Sequence, residues 1–193
     1  LEVLRYQLNP HFLFNTLNNL YSLTLKNSDK ASEVVLKLSD IMRYVLYQAN
    51  EERVELKKEL DFIKNYVDLQ RIRYHDKYDI TFEVIGANEE VTIAPLLFID
   101  FTENAFKHGI DKRFSDGFVH VKFEIHPDHL LFLCTNSIGN NEQAGIRQQD
   151  AGIGLSNVRK RLSILYPQQH QLTISEDGEI FSVRLEIQHH EQA

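Results

Sequence analysis

A single cysteine among 193 residues, Cys134, excludes an internal disulfide. It follows Leu130, Leu131, Phe132 and Leu133 in an apolar stretch that reads as a strand, which makes it a small buried hydrophobe. No apolar run reaches the roughly 18 residues of a membrane span, and there is no signal-peptide pattern, internal repeat or low-complexity tract. Cations are too few for a nucleic-acid partner: 21 Lys and Arg stand against 28 Asp and Glu, a net charge of -7. The length excludes two large domains and allows one ordinary domain with a helical appendage. What remains is 42% apolar and 25% charged, the balance of a chain that folds through most of its length. It opens at Leu1, without methionine and inside a helical pattern, as expected of a stretch of a longer protein.

Over residues 1–26, Leu1, Leu4, Leu8, Phe12, Leu20 and Leu23 recur near helical spacing, in one long helix or two joined at Pro10. A polar link with Ser28 or Asp29 as N-cap precedes a second run, Val34, Val35, Leu38, Ile41, Met42, Val45 and Leu46. Two helices so joined form an antiparallel hairpin with too little partner surface of its own, and a second copy completing a four-helix bundle is expected. A third helix is predicted over 56–73. At Tyr78 the period changes to two, marking a strand that ends near Gly86. Pro95 suits the first turn of a helix running to His108, with Gly109 as its cap. Strands are predicted over 118–125 and 129–135, an aperiodic functional loop over 137–151, a helix over 155–165, and a closing hairpin turning at Asp177 and Gly178. The fold class is α+β: a helical dimerising segment, residues 1–53, then an α/β sandwich, residues 54–193.

Three segments carry chemistry. The first is Leu8-Asn9-Pro10-His11-Phe12-Leu13-Phe14-Asn15. Neutral imidazole is a competent nucleophile near physiological pH, and the proline beside it disturbs the local helix, so His11 reads as an accessible nucleophile; alternatively, Asn9 caps a helix that begins at Pro10 and His11 is merely exposed. The second is Glu103-Asn104-Ala105-Phe106-Lys107-His108-Gly109. The third, Gly152-Ile153-Gly154-Leu155-Ser156-Asn157-Val158-Arg159-Lys160-Arg161-Leu162, places glycines where backbone can approach phosphate at a helix N-terminus.

In this order and spacing the three segments resemble the LytS-like family of sensor histidine kinases, over nearly the whole chain. The resemblance implies a two-layer sandwich of the GHKL, or Bergerat, ATP-binding type, a homodimer, and ATP-dependent phosphorylation of His11. It further implies phosphotransfer to a response regulator and a membrane sensor lying upstream, with this part on the cytoplasmic side of a bacterial inner membrane. Asn104 then supplies an oxygen to Mg2+, which needs only one or two protein ligands beside phosphate oxygens. Glu103 takes a proton or holds a metal-bound water. Lys107 and His108 reach the phosphates or complement the helix dipole. Gly152, Gly154 and Leu155 belong to an ATP lid.

Asn136 stands where the superfamily's adenine-binding aspartate is found, either accepting from the adenine amino group or satisfying a turn through its own backbone. Two departures from the family pattern are Phe12, where many relatives have an acid after the histidine, and Asp100, where proline is usual. Asp100 is either functional or an exposed first-turn carboxylate. His189 and His190 read as a polar tail. Two rival functions stay open on the residues: a GHKL ATPase or protein kinase with a structural His11, and a nucleotide-independent dimerisation and signalling module whose ATP site has decayed.

Overall fold

The structure, a computed structural model, describes residues 10–74, 77–86, 91–110, 116–138 and 144–189, with side chains from Phe12 onward and, in the last stretch, from Leu155 onward. The contacts divide the chain into two compact units, Leu1–Asp76 with Thr92–Leu96, and Lys77–Val91 with Leu97–Ala193.

The first unit is built from α1 (Pro10–Leu25), α2 (Lys30–Arg43), a π-helical turn (Tyr44–Gln48), β1 (Val54–Glu55) and α3 (Leu56–Tyr74). Asn27, at φ 49°, reverses the chain after α1, and the Ser28 hydroxyl accepts the Lys30 N–H at 3.3 Å, so Ser28 rather than Asp29 supplies the side-chain bond at the start of α2. α2 buries Val34, Leu38 and Ile41, one helical stripe. Phe12 meets Tyr66 with ring centroids 4.7 Å apart, Tyr44 stacks on Phe62 at 4.6 Å, and Lys37 bonds Asp68 at 2.8 Å. These contacts bind α3 to the hairpin within the first compact unit.

Residues 92–96 return to this same unit. β3 (Thr92–Ile93) pairs antiparallel with β1, and the Arg53 guanidinium donates to the Thr92 hydroxyl and carbonyl at 3.1 and 2.9 Å. Leu96 follows at φ 55°, a conformation that costs a non-glycine residue about 1–3 kcal/mol. Its N–H donates to the Glu59 carboxylate at 2.9 Å. Pro95 therefore lies in this anchored segment and not in the first turn of the next helix, α4, which runs Ile99–Gly109.

The second unit holds a five-stranded sheet, order β2-β4-β5-β7-β6, built from β2 (Asp79–Ile85), β4 (Phe118–Ile125), β5 (His129–Ser137), β6 (His170–Asp177) and β7 (Ile180–Gln188). β2 runs parallel to β4, with Phe82 opposite Val121; the other pairs are antiparallel. Phe98 sits 5.0 Å from Phe123 and 4.9 Å from Phe132, centring the core between α4 and the sheet. Cys134 lies in this core, and burial pushes its thiol up to about 12, as befits an inert hydrophobe. α5 (Ala144–Leu165) begins well before residue 155, so the aperiodic segment is not a loop throughout. Ala144, Arg147, Gln148, Gln149 and Ala151 are good helix formers and outweigh the local cost of the glycines. Among the described residues no helix is long and apolar enough to cross a membrane.

Candidate functional site

α4 buries Ile99, Phe101, Thr102, Ala105, Phe106 and Gly109. Its less buried residues are Asp100, Glu103, Asn104, Lys107 and His108. Offsets of three, four, seven and eight put these five on one face of the helix. The apolar side fixes the rotation of α4 against the sheet, and the acid, amide and cation of the motif are thereby presented together.

The C-terminal end of this helix meets the end of β5. A Cβ added at Gly109 would lie 2.6 Å from the Asn136 Cβ, so glycine is required for the approach. The Ser137 hydroxyl donates to the Gly109 carbonyl at 2.7 Å and accepts the Phe118 N–H at 3.1 Å, bracing the helix end against β4 and β5. Asn136 is buried within β5, opposite Val119 and Phe181, and so lies in the strand rather than beyond its end. Its Nδ2 donates to the Ser137 carbonyl at 2.8 Å. Because a carbonyl only accepts, this bond turns the NH2 to Ser137 and Oδ1 the other way. Ser137 has no sequence pattern of its own; only the pairing reveals its bracing role.

α5 buries Val158 and Leu162, Tyr166 is buried just past its end, and Arg159 and Lys160 are exposed. Arg161 is different, because its charge acts on Asp100. Asp100 is half-buried and not an exposed carboxylate: burial raises its pKa, and Arg161 offsets part of that rise. The folded state thus holds the Asp100 proton more tightly than the unfolded state, and stability falls as pH rises from 3.8 through the raised value. Asp100→Asn is expected to melt above the parent at pH 7, with the difference closing below pH 3.8, in paired thermal scans. Equal melting at pH 7 would show that Arg161 fully compensates the ionised carboxylate.

Gly152, Gly154 and Leu155 stand within α5 and not ahead of its N-terminus, so in this conformation their N–H groups belong to the helix ladder. Pro10 and His11 are helical, within the described part of α1. Asn9 and His190 lie outside the described residues. Among the described residues no group of three or more His, Cys, Asp or Glu side chains has the geometry to hold a metal ion. A metal at Asn104 would accordingly take one or two protein oxygens and fill its other positions from a ligand or water, as Mg2+ does.

A family model described as histidine kinase matches residues 1–78. The sensor protein LytS of Streptococcus agalactiae is 28% identical over 188 residues, 92% of this chain and 32% of the relative. The sensor histidine kinase YpdA of Escherichia coli is 31% identical over 174 residues, 86% of this chain and 30% of the relative. The sensor protein kinase HptS of Staphylococcus aureus is 34% identical over 139 residues, 72% and 26% respectively. The chain thus spans about a third of the length of LytS and YpdA. Among solved structures, the catalytic domain of the histidine kinase ThkA matches with a TM-score of 0.51 at 15% identity, covering 70% of this chain and 93% of that one. Full-length ShkA in complex with AMPPNP matches at 0.50 and 16%, covering 86% and 38%. At these identities the two structures speak to the fold alone.

Proposed function

The chain belongs with the LytS-like sensor histidine kinases, and we propose that it is the part of one that uses Mg-ATP to phosphorylate His11. The observation that supports this most is the meeting of two stretches far apart in sequence: the less buried face of α4 carries Glu103 and Asn104, and its glycine end packs on Asn136.

Bound Mg-ATP supplies the γ-phosphoryl group and a cation that neutralises its charge. Asn104 holds that cation through its side-chain oxygen, with Glu103 beside it to take a proton or orient a water. Lys107 and His108, at the end of α4, would reach the phosphates. Asn136 accepts from the adenine amino group through Oδ1. Contact from the backbone of Gly152, Gly154 and Leu155 requires the first half of α5 to unwind. That half contains Gly145, Gly152 and Gly154, each about 1 kcal/mol less favourable in a helix than alanine, so it is the cheap part to open as a lid. His11 receives the phosphoryl group and passes it to an aspartate of a response regulator. An upstream membrane sensor holds this part at the cytoplasmic side of a bacterial inner membrane.

Calorimetric titration tests the nucleotide site. ATP binds the parent weakly and GTP more weakly, and Asn136→Ala loses about fivefold in ATP affinity, the worth of one neutral hydrogen bond of about 1 kcal/mol. A parent that binds no nucleotide leaves the dimerisation-module reading; unchanged ATP affinity in the variant returns Asn136 to its local bond alone.

The homodimer forms through the helical unit. Phe14, Leu17, Tyr21 and Leu25 follow one another at heptad-like offsets on α1 and are 45–67% exposed, an apolar stripe of the kind a partner helix covers. Light scattering across a wide concentration range is expected to give a dimer, and Leu17→Glu with Tyr21→Glu a monomer; a parent that stays monomeric throughout rejects the interface.

A further inference from the structure

One hydroxyl fastens the end of α4 to the strand that carries Asn136. Ser137, the last residue of β5, donates to the Gly109 carbonyl at 2.7 Å and accepts the Phe118 N–H at 3.1 Å. A hydroxyl has one proton to give and lone pairs to accept with, so a single side chain serves both groups.

Gly109 ends α4, and the last four carbonyls of a helix have no partner within it. The next residue, Ile110, has already left helical geometry at φ -119°, ψ 71°. The Gly109 carbonyl therefore needs a donor from outside the helix, and Ser137 supplies it. That bond holds the turn in which Lys107 and His108 stand. Space around it is tight: a Cβ added at Gly117 would lie 2.7 Å from the Gly109 carbonyl oxygen and 3.4 Å from Ser137 Oγ. The Gly117 carbonyl in turn accepts the Asp79 N–H at 3.3 Å. The end of α4, the starts of β2 and β4 and the end of β5 thus meet around one side chain.

Asn136 precedes Ser137 in β5, whereas Asn104 and Lys107 belong to α4. A ligand that bridges strand and helix gains from both only while their spacing is held in advance of binding. Loosening that spacing weakens a ligand that spans the two ends and leaves alone one that touches a single end.

We propose that Ser137 is a positioning residue that sets the spacing between the adenine end of the site, on β5, and the metal and phosphate end, on α4. Its hydroxyl is committed to Gly109 and Phe118, so it acts through them and not on the ligand. The proposal rests on the nucleotide reading given above.

Titrations of the whole chain with three ligands test it. Mg-ATP spans both ends, adenosine occupies the first alone, and inorganic triphosphate with Mg2+ the second alone. Ser137→Ala is expected to weaken Mg-ATP by about tenfold, and adenosine and triphosphate by less than about twofold, because two bracing bonds are lost and no ligand contact is. Ser137→Thr, which keeps the hydroxyl, is expected to restore ATP affinity. Gly117→Ala, which wedges the same point with Ser137 intact, is expected to repeat the selective loss. Exchange of the Phe118 amide reads the brace without any ligand: it should speed up in Ser137→Ala and slow again in Ser137→Thr. Equal weakening of all three ligands marks general destabilisation and overturns the proposal, as does ATP affinity unchanged in both alanine variants. Should Ser137→Ala not fold, Gly117→Ala decides alone. A parent that binds none of the three ligands sinks the nucleotide reading and this proposal with it, whereas a parent that binds them and variants that match it sink the proposal alone.

Discussion

Asn104→Ala is expected to abolish most of the stabilisation that Mg-ATP gives the parent. A ligand present at about 100 times its dissociation constant stabilises the folded state by about 2.7 kcal/mol. For a chain of this size that raises the melting midpoint by about 5–10 °C. Asn104 is half-buried on the face of α4 that carries Asp100, Glu103 and Lys107, opposite the buried apolar residues of the helix. Alanine is the better helix former, so the variant's own melting temperature should hold or rise slightly in the absence of nucleotide. The loss is then confined to the shift on adding Mg-ATP, and thermal scans of both proteins with and without Mg-ATP separate the two quantities. Equal shifts in parent and variant remove Asn104 from the metal site.

His11→Gln is expected to bring covalent labelling by γ-labelled ATP down to background while nucleotide binding persists. Glutamine keeps hydrogen-bonding capacity and helix propensity but has no nucleophilic nitrogen: its amide lone pair is delocalised, whereas neutral imidazole offers one near physiological pH. The parent's label should be acid-labile and base-stable, as a phosphoramidate is. His11 is helical in α1 and follows Pro10, which is compatible both with an accessible acceptor and with a structural histidine. The substitution distinguishes them, because a structural histidine leaves labelling where it was. Full labelling of the variant would also revive the reading of an ATPase or protein kinase acting elsewhere.

The sequence by itself determined the elements whose signal is local. α3, β4, β5 and the β6–β7 hairpin follow from the period of their apolar residues, and the stripe of Asp100, Glu103, Asn104 and Lys107 follows from helical spacing once α4 is recognised. The three motif segments were legible for the same reason, since each is a short run of neighbouring residues. Tertiary structure alone decided which of these pieces belong together. It joined α3 to the hairpin through Phe12, Tyr44 and Lys37, returned residues 92–96 to that unit and moved Pro95 out of α4. It also seated Gly109 on Asn136 and brought Arg161 to bear on Asp100. The two-residue strands β1 and β3 are too short to show a period, and the π-turn differs from the α-helix before it by one hydrogen-bond offset. Each of these features depends on contacts between residues distant in the chain or on a single backbone angle, such as φ at Leu96, that the Glu59 carboxylate helps to impose and the local sequence does not favour.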